Sequence, residues 1–98
     1  MADGEALDET VRDVPERHRY ELATPDGPAI AAYERVEDRL ILSHTVVPST
    51  QEGQGLASRL IAGVLSDVRA QGLRIVPSCP FVATYVAKHP EERDLVAD

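Results

Sequence analysis

The chain is poor in the residues that carry several kinds of chemistry. Among 98 residues it has one cysteine and no tryptophan, and aromatic residues make up 4%. One thiol cannot form an internal disulfide, nor build a zinc cage by itself. There is no HExxH motif, no Cys/His ligand spacing and no carboxylate pair set for glycosidic chemistry. Long apolar runs are missing too: none approaches the roughly 20 residues that span a bilayer, and no Lys/Arg-flanked apolar block opens the sequence. Basic residues are outnumbered, 10 against 17 acidic, for a formal net charge of −7. That balance, with so few aromatics to interleave, argues against a surface for a nucleic-acid backbone. The expectation is a cytoplasmic protein with no metal, no membrane and no nucleic acid among its partners. Any partner steered by charge would be cationic.

What is present is ordinary globular material, 43% hydrophobic and 28% charged. The length allows a single small core. Residues 1–15 are expected to be an acidic, flexible leader, because the opening MADGEALDETVRDVPE carries six acids and one base with little apolar surface to offset ordering entropy. The remaining residues, 16–98, form the one domain.

Within that domain the apolar period changes once. Residues 18–23 alternate large and polar side chains as a half-buried strand does. Thr24-Pro25-Asp26-Gly27 is a turn, since Pro presets φ and Gly accepts positive φ. Residues 28–36 and 39–47 read as two further strands, so the three form an antiparallel meander. After Pro48 the spacing becomes helical, with Leu56, Leu60, Ile61, Val64, Leu65 and Val68 on one face. Gly72 suits a left-handed helix cap. Residues 73–76 predict a buried strand in parallel pairing. A second helix follows over 81–88, with Pro80 at its first position and His89-Pro90 ending it. The predicted class is α+β, a meander followed by α-β-α. The last eight residues are expected on the surface.

Two places could carry chemistry. Gly53 and Gly55 stand in the turn that opens the first helix. Glycines let backbone approach a ligand closely, and unpaired N–H groups at a helix start suit an anion such as a pyrophosphate. Gly-x-Gly also occurs in plain turns, and neither the P-loop nor the Rossmann spacing is complete. The other place is Ser78-Cys79-Pro80. A thiol at the N-cap of the second helix is favoured as thiolate by the dipole, although a lone cysteine also serves as a small buried hydrophobe.

These segments resemble a known family. HTVVP at 44–48, GQGLASRLI at 53–61 and VPSCPFVATYVAKHPEERDLV at 76–96 are similar, in that order, to the small stand-alone members of the GCN5-related N-acetyltransferases, and the resemblance runs from about residue 14 to 96. It implies a reduced acetyltransferase fold whose parallel strand pair splays at the cofactor cleft, and a reaction carrying acetyl from acetyl-CoA to an amine. Carried over by position, Gly53, Gln54, Gly55, Leu56, Ala57 and Ser58 would hold the pyrophosphate. Thr45, Val46 and Val47 would pair with the pantetheine arm, and an N–H at Val46 or Val47 would polarise the thioester carbonyl. Thr50 stands where the family's signature has Gln or Arg. The resemblance also puts Cys79 near the thioester, as nucleophile or as cleft wall, and makes Tyr85 an acid for the leaving thiolate; Tyr85 equally fits an apolar stripe with Phe81, Val82 and Val86.

His44 shares parity with Leu40 and Leu42, which predicts a hydrogen-bonded core histidine. It also precedes the cofactor edge, and imidazole is suited to deprotonating an ammonium near pH 7. The catalytic candidates are therefore Cys79, His44 and Tyr85. The alternative function is a non-catalytic acyl-CoA-binding or protein-interaction module on the same fold. The chain is expected to be a monomer or a weak homodimer formed through its strand edge.

Overall fold

A computed structural model describes residues 11–48 and 55–97. Its strands are β1 (Val11–Val14), β2 (Arg19–Leu22), β3 (Ala29–Val36), β4 (Arg39–Val46) and β5 (Arg74–Pro77), and its α-helices are α1 (Leu56–Ala70) and α2 (Pro80–Lys88). The sheet order follows the chain order, with antiparallel pairs from β1 through β4 and a parallel β4–β5 pair enclosing α1. The α+β class and the parallel crossover are as the sequence predicts.

Strand alternation places Tyr20, Leu22, Ala29, Ala31, Tyr33, Leu40, Leu42 and Ile75 on one face, all buried. They form one cluster with the apolar stripe of α1 and with Val82, Tyr85 and Val86 of α2. Both helices thus cover the same side of the sheet. The opposite side keeps Arg19, Glu21, Ile30, Ala32 and Ile41 only half-buried. α1 ends in a six-to-one bond from Leu73 N–H to the Val68 carbonyl at 3.0 Å, with Gly72 at φ 71°. No helix among the described residues is long and apolar enough to cross a membrane.

Two segments differ from expectation. The end of the expected leader, Val11–Val14, is an edge strand paired with β2. Its side chains explain why: Val11 packs on the bare backbone of Gly63, and Tyr33 donates to Asp13 at 2.6 Å. The tail is also more than surface. A 3-10 helix over Pro90–Leu95 buries Leu95, and Ala97 N–H donates to the Ile75 carbonyl at 2.8 Å. Glu92, expected to be only a solvated surface residue, is held by Arg69 at 3.0 Å.

Candidate functional site

β4 and β5 stay in register from Arg39↔Arg74 to Leu42↔Pro77. The Cys79 N–H still donates to the Leu42 carbonyl at 2.9 Å, but the chain has by then turned away at Ser78 and enters α2 at Pro80. β4 runs on to Val46, so its last four residues extend past the end of β5 and ladder with β3 alone. This is the splayed parallel pair.

Alternation fixes which N–H groups face the gap. Tyr33 N–H donates to the His18 carbonyl at 2.9 Å, toward β2, so the polar backbone groups of Ala32 and Ile30 face β4. Their partners are His44 and Val46. The N–H groups of Thr45 and Val47 therefore point the other way, into the space β5 leaves.

A β-bulge sets the side chains. Ala32 pairs with His44 and Tyr33 with Leu42, which leaves Ser43 as an extra residue in β4. Leu40 and Leu42 are buried, and without the bulge His44 would follow them inward. Instead the parity flips: His44 is exposed on the open face beside Val46, which is 54% exposed. The core-histidine expectation is thereby corrected. Thr45 now takes the helix side, where its Oγ1 lies 3.4 Å from the Sγ of Cys79.

Cys79 is buried at the N-cap of α2, with its backbone extended at φ −74° and ψ 129°. Burial by itself raises the thiol, but the Thr45 hydroxyl and the N–H groups of Val82, Phe81 and Thr45 outweigh it and hold the group below an ordinary cysteine. Neither helical N–H forms a capping hydrogen bond to the sulfur, so they act on it as dipoles. Phe81, in the next turn, is 38% exposed.

The second helix start belongs to α1. Gly55 lies at φ 73°, and among the described residues a Cβ built on it would meet nothing within 4 Å. The first bond into the helix is from Arg59 N–H to the Gly55 carbonyl at 3.0 Å, so the N–H groups of Leu56, Ala57 and Ser58 have no intrahelical acceptor. Leu56 is buried, Ala57 half-buried and Ser58 exposed. Gly53, Gln54 and Thr50 lie outside the described residues.

Tyr85 stands apart from the Cys79–Thr45 contact, six residues or about 9 Å along the α2 axis from Cys79. Its ring stacks on His89 with centroids 3.9 Å apart, and His89 Nδ1 lies 2.8 Å from the Tyr85 carbonyl. Burial raises its phenol, and the carboxylates of Glu92 and Glu91 add to that. The structure thus brings Thr45 and Cys79 together, puts His44 on the opposite face of the same strand, and surrounds Tyr85 with the C-terminal segment. The Thr45 hydroxyl was missed as a partner for Cys79, because nothing in the sequence marks Ser43 as a bulge.

The family model for the GCN5-related N-acetyltransferases matches residues 19–95. The chain is also similar to the solution structure of a Staphylococcus aureus protein described as GCN5-like and as a candidate N-acetyltransferase, with a TM-score of 0.68 and 21% identity over 89% of this chain and 86% of that one. At that identity the likeness shows the fold: a mixed sheet with one splayed parallel pair.

Proposed function

The chain belongs to the GCN5-related N-acetyltransferase family, and we propose that it transfers an acetyl group from acetyl-CoA to a primary amine. The observation that carries this reading is a coincidence at one end of the sheet. The edge of β4 beyond β5, unpaired among the described residues, and the N-termini of α1 and α2 all lie at the carboxyl ends of β4 and β5, where α/β sheets bind ligands. The residues present fit the cosubstrate. Space at Gly55 among the described residues and three N–H donors without an intrahelical acceptor suit a pyrophosphate, and an extended edge suits an amide-bearing arm.

Bound there, acetyl-CoA supplies an acyl group already activated as a thioester. Leu56, Ala57 and Ser58, with Gly53, Gln54 and Gly55 before them, bind its phosphates. Thr45 and Val47 offer the strand edge. Of the two N–H groups considered for the thioester carbonyl, Val47 faces the gap and Val46 faces β3, so Val47 is the polarising donor. Cys79 lines the acyl end of the cleft. His44, on the far face of β4, takes the proton of an ammonium approaching from the open side of the sheet. Tyr85 has no part in this scheme. The acceptor is a small amine or an exposed lysine or N-terminus, and the net charge of −7 favours a cationic one.

Calorimetric titration of acetyl-CoA and CoA into the protein tests the reading, with Gly55→Glu as control. That change puts a side chain at positive φ and a carboxylate where phosphate should sit. A dissociation constant roughly in the micromolar range, abolished in a Gly55→Glu protein with unchanged circular dichroism, is the expected result. Absence of heat from the folded wild-type protein at millimolar ligand would overturn it. Binding without CoA release over an amine panel would identify a binding module instead.

A further inference from the structure

The bulge at Ser43 is more than a local irregularity, because it decides which side chain of β4 reaches α2. With Ser43 counted out of the ladder, Thr45 shares a face with Leu40 and Leu42 and meets the N-cap of α2. Cys79 is meanwhile pinned through its own backbone, its N–H donating to Leu42 and its carbonyl accepting from Ala83 at 3.0 Å. Two elements that part company at the splay are thus rejoined by one side-chain contact, from Thr45 Oγ1 to Cys79 Sγ at 3.4 Å.

We propose that Thr45 is a positioning residue, whose hydroxyl holds the Cys79 sulfur at the mouth of the β4–β5 splay in the orientation of an acceptor for hydrogen bonds. The proposal rests on the reading of that splay as the acyl end of the cleft, and it adds a polar anchor that this reading does not require. The contact has a chemical direction. A sulfur that accepts from the Thr45 hydroxyl, with the dipoles of the Phe81, Val82 and Thr45 N–H groups beside it, is stabilised as thiolate. The other polar and titratable groups on the packed elements do not face it: His44 points to the opposite side of β4, Ser58 and Arg59 of α1 and Arg74 of β5 are exposed, and Tyr85 and Lys88 lie further along α2, with Tyr85 stacked on His89. Threonine therefore supplies the side-chain part of the polarisation, and valine, its near-isostere, removes that part while keeping the bulk.

The test is the pH profile of Cys79 alkylation by iodoacetamide, in which the thiolate attacks carbon and iodide leaves, read together with the ultraviolet absorbance of the thiolate. It is run on wild type, Thr45→Val and Thr45→Ser, with Cys79→Ser as blank. No acetyl-CoA is needed, so this result is separable from the cosubstrate titration. In Thr45→Val the midpoint of both profiles moves up. Its rate near pH 7 falls on the order of tenfold, because one hydrogen bond to a charged group is worth about tenfold or more in thiolate population and the greater nucleophilicity of a more basic thiolate offsets part of that loss. Well above the free-thiol pKa of about 8.5 the variant reacts as fast or faster, because a more basic thiolate is the better nucleophile. Thr45→Ser keeps the wild-type profile. Faster alkylation of Thr45→Val at every pH would mean that the contact only packs the site, and an unmoved midpoint would remove any role for Thr45; either overturns the proposal.

Discussion

Gly63 sits on α1 where β1 crosses it, and a Cβ added there would lie 2.6, 2.7 and 2.9 Å from the Cγ2, Cβ and Cγ1 atoms of Val11. Gly63→Ala therefore sets two effects against each other. Alanine in a helix interior gains about 1 kcal/mol over glycine. Forcing a methyl into a packed contact costs about 1–3 kcal/mol. The clash should prevail, giving a net loss of about 1 kcal/mol and a slightly lower urea m-value as β1 lifts from the helix. Val11→Gly clears all three atoms, at a cost of about 2 kcal/mol for lost half-buried apolar area and for glycine in a strand. Combined, the two changes should cost less than their sum by about 1–3 kcal/mol, because the clash is gone and the helical gain remains. Urea titrations of the four proteins in this cycle measure the coupling. Additivity within about 0.5 kcal/mol, or a Gly63→Ala protein simply more stable than wild type, would show that β1 does not pack on α1.

Two further outcomes follow from the charged and phenolic groups. Burial raises the phenols of Tyr20, Tyr33 and Tyr85 above the ordinary range, and the nearby carboxylates of Asp67, Asp13 and Glu92 add to the three respectively. The native state then keeps protons that the unfolded chain loses near pH 10, so this stability is complete below about pH 10 and drains as pH rises, at about 1.4 kcal/mol per pH unit for each tyrosine. Tyr20→Phe should remove one such share from the alkaline slope measured by urea midpoints, whereas parallel slopes would refute the linkage. Arg69 donates to Asp94 at 2.8 Å, to Glu92 at 3.0 Å and to the Glu91 carbonyl at 3.2 Å. Arg69→Ala should speed amide exchange over residues 90–97 while leaving β1–β3 protected; unchanged exchange there would show that these exposed pairs do not dock the tail.

How much of this was legible depended on whether a signal was local. α1 announced itself through six apolar residues at helical spacing and through Gly72, each acting within its own turn. The meander was legible from alternation and its Pro-Asp-Gly turn. β1 was not, because four residues with two charges carry too weak a pattern, and what orders them is a glycine some fifty residues away. The tail was misread for a similar reason: Leu95 is buried and Glu92 paired only through contacts with distant elements. Near the splay, the left-handed Gly55 before α1 and the cysteine at the N-cap position of α2 were legible from their residue types. The facing of His44 and Thr45 was not, since one bulged serine inverts every parity argument downstream of it, and a serine has no conformational signature of its own.

The proposed function places the cosubstrate between the end of β4 and the starts of α1 and α2. Titrating acetyl-CoA into isotope-labelled protein and following backbone amide resonances tests it most directly. The largest changes should fall on Thr45, Val47, Leu56, Ala57, Ser58 and Phe81, with β1 and β2 unmoved. Changes centred instead on the open face of β1–β3, or none at saturating ligand, would contradict it.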